Sequence, residues 1–154
     1  MSMLTVAHAL DLSSHIGREM GHSDWLTITQ DAVDAFAAVS GDDHWIHVDV
    51  ERAGREMPGG RTIVHGVYVL SLIPALQRDI YRIERRGRGL NYGFDRVRFV
   101  SPVPVGSRVR LKQTLADVTK HPAGTKLAID IAFEVEGGDK PALVARNIIL
   151  IEDP

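Results

Sequence analysis

The chain has 154 residues, 44% of them hydrophobic and 25% charged, which suffices for one domain with a full core over residues 1–154 and makes a second domain unexpected. A formal net charge of -2 argues against a general nucleic-acid binder, and the absence of cysteine excludes disulfides, thiolate metal sites and a cysteine nucleophile. The opening MSMLTVAHALDL lacks a basic leader ahead of a long apolar stretch, and no later apolar run reaches membrane-spanning length, so a cytoplasmic protein with no membrane partner is expected.

No internal repeat, low-complexity tract or dividing linker interrupts the chain. In TQDAVDAFAAV, a cap at Thr29, an acidic first turn, and Val33, Phe36 and Ala37 at helical spacing predict a helix to Val39 that Gly41 ends. VDVERAGREM reads as a short helix, and PGG at Pro58 to Gly60 as a turn. IVHGVYVLSLIPAL, Ile63 to Leu76, is apolar almost all round, and Ile80 and Ile83 continue its stripe into QRDIYRIERR. The spacing predicts a long buried helix with a wet C-terminal end, kinked where Pro74 removes a backbone hydrogen bond. On this reading the basic run ERRGRG sits at the helix C-terminus, where cations and glycines are favoured.

From residue 96 onward the pattern alternates with period two. Val97 and Phe99 alternate with Arg96 and Arg98. Val109, Leu111 and Leu115 alternate with Arg108, Arg110, Lys112 and Thr114. Leu127, Ile129, Ile131, Phe133 and Val135 repeat the pattern, and ALVARNIILI supplies a more buried last strand. SPVPVG, HPAG and EGGDKP provide the turns between them. The sum is an α+β class, with about four antiparallel strands in a sheet that curls around the buried helix.

Chemistry concentrates in SGDDHWIHVD, Ser40 to Asp49, which holds three aspartates and two histidines in ten positions. Asp42 and His47 are five apart, so only an irregular turn makes them converge. Asp43 and His47 are four apart and share a face if the stretch is helical. Spacing alone leaves both pairs open. His44, His47 and Asp49 have ligand-like spacing, but the cluster is short and has no second half elsewhere, so no metal and no cofactor are expected. Trp45 is expected to pack the turn against the core, and His65 to cap or pack.

GDDHWIHVDVERA, GGRTIVHGVYVLSLIPAL and NYGFDRVRFVSPVPVGSRVR, in that order and spacing, resemble the MaoC-like hydratase superfamily with its hotdog fold, over about Trp25 to Arg110. The tryptophan before IHVD and the NYG…RVRF stretch are similar to its nodulation protein N branch. The resemblance implies an antiparallel sheet wrapped around a long central helix, and (R)-specific hydration of trans-2-enoyl-CoA or the reverse dehydration of (R)-3-hydroxyacyl thioesters. The family pattern, a Gly-Asp dipeptide with histidine five residues after the aspartate, selects Asp42 and His47 as the catalytic pair. It also implies an orienting role for Ser71. By position, the Gly66 N–H is a candidate donor to the thioester oxygen where the buried helix begins.

Tyr68 and Leu72 are candidates to shape an acyl tunnel, as is Ile73, with Asn91 and Tyr92 further candidates for substrate contact; core packing is the competing reading. Arg96, Arg98, Arg108, Arg110 and Lys112 suit either a solvated sheet face or coenzyme A phosphates. The expected partners are an acyl-CoA or acyl-carrier thioester and a second copy of the chain in a homodimer, with no nucleic acid. Two other readings compete. A hotdog thioesterase needs a differently placed carboxylate, and Gly66 to Gln77 contains none. A non-catalytic acyl-thioester binder has no need of a charged pair in an apolar pocket.

Overall fold

In the computed structural model of the protein, which describes residues 2–154, β1 (Leu4–Val6), a 3-10 turn (Ala9–His15), β2 (Glu19–His22) and β3 (Leu26–Thr27) precede α1 (Gln30–Ser40). The ends of α1 follow from its sequence. The Thr29 hydroxyl accepts the Ala32 N–H at 3.2 Å, and Gly41 closes the helix in the left-handed region at φ 80°. Two short helices follow, α2 (Trp45–Val48) and α3 (Val50–Glu56), and a 3-10 turn at Pro58–Gly60.

The long helix expected from Ile63 is shorter and broken. Residues 63–65 are extended, with the Ile63 and Val64 N–H groups donating to the Ile46 and Val103 carbonyls. Helix begins only at Gly66, as α4 (Gly66–Ser71), and resumes after Leu72 as α5 (Ile73–Leu76). Pro74 explains the break: it has no N–H for the Leu70 carbonyl, and the backbone tightens there, Leu72 N–H bonding Val69 O at 3.1 Å.

The helical stripe does not reach Ile80 and Ile83. A 3-10 turn (Gln77–Asp79) leads into β4 (Tyr81–Ile83), which pairs in parallel with β1. Both isoleucines are buried, but a strand partner from the far N-terminus places them there. The basic run after them therefore does not sit at a helix end. Arg88 instead makes a two-pronged pair with Glu152 at 2.7 and 2.8 Å.

The alternating half forms β5 (Gly89–Phe99), β6 (Arg108–His121), β7 (Gly124–Val135) and β8 (Leu143–Glu152). The antiparallel sheet runs β2-β6-β7-β8-β5, with β3 also on β6. Val109, Leu111 and Leu115 on β6, Leu127, Ile129 and Phe133 on β7, and Leu143 on β8 are almost fully buried on one face. Val69, Ile73 and Leu76 of α4 and α5 join the same core. Each such side chain contributes about 1.5–3 kcal/mol by burial, so the alternation fixes which face meets the helices. This is the sheet-around-helix arrangement of the hotdog fold.

β5 departs from simple alternation. Its register slips between Asp95 and Val97, where Arg96 takes φ 56°, and Phe99 is 55% exposed rather than in the core. The Phe99 ring lies on Gly66: a Cβ built there would stand 2.5 Å from Phe99 Cδ1, so any larger residue at the start of α4 must displace that ring.

Candidate active site

The stretch between α1 and α2 is the irregular turn that the five-residue spacing requires. Gly41 reverses the chain, the Ser40 hydroxyl accepts the Asp42 N–H at 3.2 Å, and the short helix α2 carries His47 back toward the turn. Asp42 Oδ2 comes to 3.9 Å from His47 Nε2. Asp43 is exposed and makes no comparable approach among the described residues.

His47 is held by two hydrogen bonds, one of them braced in turn. Its Nδ1 lies 2.7 Å from the Ile63 carbonyl, its backbone carbonyl accepts Gln30 Nε2 at 2.8 Å, and the Thr62 hydroxyl fixes Gln30 through Oε1 at 2.6 Å. Because a carbonyl only accepts, Nδ1 carries the proton and Nε2 of the neutral ring is a bare acceptor facing Asp42. Burial pushes the His47 pKa below its ordinary value; the Ile63 hydrogen bond opposes this, His65 adds to it and Asp42 opposes it. The neutral form is therefore favoured near neutral pH. Two acceptors each about 2.8 Å from one water lie about 4–4.5 Å apart, and the 3.9 Å gap is within a few tenths of an ångström of what a single water donating to both requires.

His65, read from sequence as a cap or packing residue, enters this cluster. Its ring stacks on His47 with centroids 3.8 Å apart and planes 24° apart, and its Nε2 lies 2.8 Å from the Asp42 carbonyl. Gln30, Thr62 and Phe36, whose ring is 4.8 Å from His65, were not singled out from sequence because their partners lie 17 to 32 residues away.

The ligand-like spacing of His44, His47 and Asp49 does not bring the three together. His44 Nδ1 accepts the Ile46 N–H at the start of α2, and Asp49 accepts the Arg52 N–H at 2.9 Å at the start of α3. Asp42, His47 and His65 instead each offer an atom within 4.8 Å of the others. His47 Nδ1 and His65 Nε2 are taken by carbonyls, however, and near-parallel rings do not aim their remaining in-plane lone pairs at one ion. Trp45 is only half-buried, with the Arg52 guanidinium 4.1 Å above its ring.

Gly66 opens α4 immediately after His65, and its N–H belongs to the first turn, which has no intrahelical acceptor. With six residues in α4, the amide itself matters more than the helix dipole. Ser71 is exposed and its hydroxyl donates to the Tyr68 carbonyl at 2.6 Å, the back-bond common for serine in helices. Tyr68 and Leu72 are half-buried against the core.

A cavity of about 780 Å³ is lined by Ile73, Pro74, Gln77, Asn91, Asn147 and Ile149 among others, and by none of Asp42, His47, Gly66, Tyr68 and Leu72. Asn91 Oδ1 accepts Asn147 Nδ2 at 2.8 Å. Tyr92 is 59% exposed and lies beside His121 and Lys126 instead. Of the basic strand residues, Arg108, Arg110 and Lys112 pair with Glu136, Glu134 and Glu19, which leaves Arg96 and Arg98 as the two on β5. No helix among the described residues is long and apolar enough to cross a membrane.

Comparison with known proteins bears on this arrangement. Residues 11–131 match the MaoC like domain. The chain is 46% identical over 148 residues to 3-hydroxyacyl-thioester dehydratase Z of Mycobacterium tuberculosis strain H37Rv, covering 96% of this chain and 97% of that one. It is 42% identical over 147 residues to nodulation protein N of Rhizobium leguminosarum bv. viciae, covering 94% and 91%. In fold it is similar to R-hydratase PhaJ1 from Pseudomonas aeruginosa, with a TM-score of 0.76, 20% identity, and 96% and 87% of the two chains covered. The match across most of the length and the similarity to whole relatives agree with the sheet-around-helix architecture, and the chain belongs to the MaoC-like dehydratase family.

Proposed function

We propose that the protein adds water to trans-2-enoyl thioesters to give (R)-3-hydroxyacyl thioesters, and catalyses the reverse dehydration, with Asp42 and His47 sharing the reacting water. The observation that carries this is the facing of two bare acceptors, Asp42 Oδ2 and His47 Nε2, 3.9 Å apart. The similarity to a named 3-hydroxyacyl-thioester dehydratase supports the same reaction class.

In hydration, the water oxygen bonds to the β-carbon while one of its protons passes to the pair. The alkene electrons move onto the thioester carbonyl as an enolate, and a proton from the pair then closes the α-carbon. The two groups titrate as a coupled pair, so the steps belong to the pair. The Gly66 N–H donates to the enolate oxygen. Ser71, its proton held by Tyr68, contributes acceptor lone pairs only, which fits orientation rather than proton transfer.

Tyr68 and Leu72 flank the acyl chain, which continues toward the cavity beside Asn91. Coenzyme A is the expected carrier, with Arg96 and Arg98 as the strand cations available to its phosphates. The unpaired side of β5, with Leu90, Tyr92 and Phe99 exposed, is the edge that a second copy covers in a homodimer.

Hydration of trans-2-enoyl-CoA substrates of increasing length, followed by loss of the enoyl absorbance with chiral chromatography of the product, tests the reading. Turnover to the (R) product is the expected result. Folded protein inert on every length, or an (S) product, overturns it.

A further inference from the structure

We propose that His65 is a positioning residue: it holds the Asp42 backbone and the His47 ring in one frame, and so sets the gap in which the water reacts. The inference rests on the reaction assigned above and concerns a buried histidine that the reaction itself does not use.

His65 is 3% exposed, and its Nδ1 has no hydrogen-bond partner among the described residues. Since its Nε2 faces a carbonyl, Nε2 carries a proton, and Nδ1 is left buried and unpaired among the described residues. A residue required only to fill space against Phe36 serves better as an apolar ring, without a desolvated nitrogen. What the imidazole adds is the N–H reaching the Asp42 carbonyl, 23 residues away in sequence.

The Asp42 turn needs such an anchor. The Asp42 side chain is 56% exposed, and among the described residues the Ser40 hydroxyl and the His65 ring are the side-chain tethers on its backbone. The flat stack of His65 on His47, 3.8 Å between centroids, fixes the other wall of the gap. His65 also immediately precedes Gly66, so one residue ties together the acid-base pair and the amide assigned to the enolate oxygen. A shift of about 1 Å in such a frame costs about a hundredfold in rate.

His65→Phe keeps the ring and removes the donor; His65→Gln removes the ring and restores an N–H within reach of the same carbonyl. Steady-state hydration of crotonyl-CoA from pH 5 to 9, with circular dichroism and thermal unfolding of each variant, separates the two contributions. For His65→Phe the expected result is a folded protein with KM within about threefold of the unsubstituted protein and kcat lower by about 30- to 100-fold. His65→Gln recovers kcat to within about tenfold. The groups facing His47 are Asp42, His44 and His65; burial is the main cause of its lowered pKa and both histidines add to it, so removing His65 moves the acid limb of kcat/KM to higher pH in both variants.

A folded His65→Phe with unchanged kcat overturns the proposal and makes His65 a packing residue, as does His65→Gln no better than His65→Phe. If the unsubstituted protein turns over no enoyl thioester, the functional reading fails first. The His47 ring titration followed by NMR then decides the contact alone, and an unchanged titration in His65→Phe overturns it.

Discussion

Replacing each of the two neighbouring aspartates by asparagine separates their roles. Asp42→Asn keeps the side-chain shape beside His47 Nε2 but removes the carboxylate that stands 3.9 Å away and that the proposed reaction uses, with His47, to hold the water. Loss of one proton-transfer group costs about 10²- to 10⁴-fold in kcat, or about 2.7–5.5 kcal/mol at 1.36 kcal/mol per decade. His47 remains, so some turnover persists. Stability changes little, because the Asp42 side chain is 56% exposed and, with His47 neutral, forms no ion pair with it. Asp43→Asn, on an exposed residue with no such approach, retains most activity. The assay is initial-rate hydration of crotonyl-CoA for both variants under identical conditions, with circular dichroism to establish folding. An inactive, folded Asp43→Asn beside an active Asp42→Asn refutes the assignment.

Acidification provides a second test. Burial holds His47 below its unfolded value, so the unfolded chain binds a proton that the native chain refuses, and stability falls as pH drops below about 6.5. Urea titrations of the protein and of His47→Gln at pH 7.5 and 5.5 should show a smaller pH dependence in the variant. Gly66→Ala places a Cβ 2.5 Å from Phe99 Cδ1 and should cost about 1–3 kcal/mol by overpacking, with Phe99→Ala in the same chain restoring part of it in chemical denaturation. Phe133→Ala, at a fully buried position facing the helices, should cost about 3–5 kcal/mol in the same measurement.

Local rules determined much of this protein. Period-two alternation in β6 and β7 names the buried face because a strand directs successive side chains oppositely, and the cap at Thr29 and stop at Gly41 bound α1 through their own backbone chemistry. The Gly-Asp and histidine spacing made Asp42 and His47 legible through family resemblance, although spacing alone left Asp43 open. What tertiary structure decided involves partners distant in the chain. Ile80 and Ile83 carry a helical stripe, yet β4 forms because β1, more than seventy residues earlier, offers a strand edge. His65 reads as an ordinary buried histidine until folding brings the Asp42 carbonyl to its Nε2 and the His47 ring to its face. Sequence periodicity reports which side of an element is apolar; it carries no record of which distant polar group completes a hydrogen bond, and the site is built from such bonds.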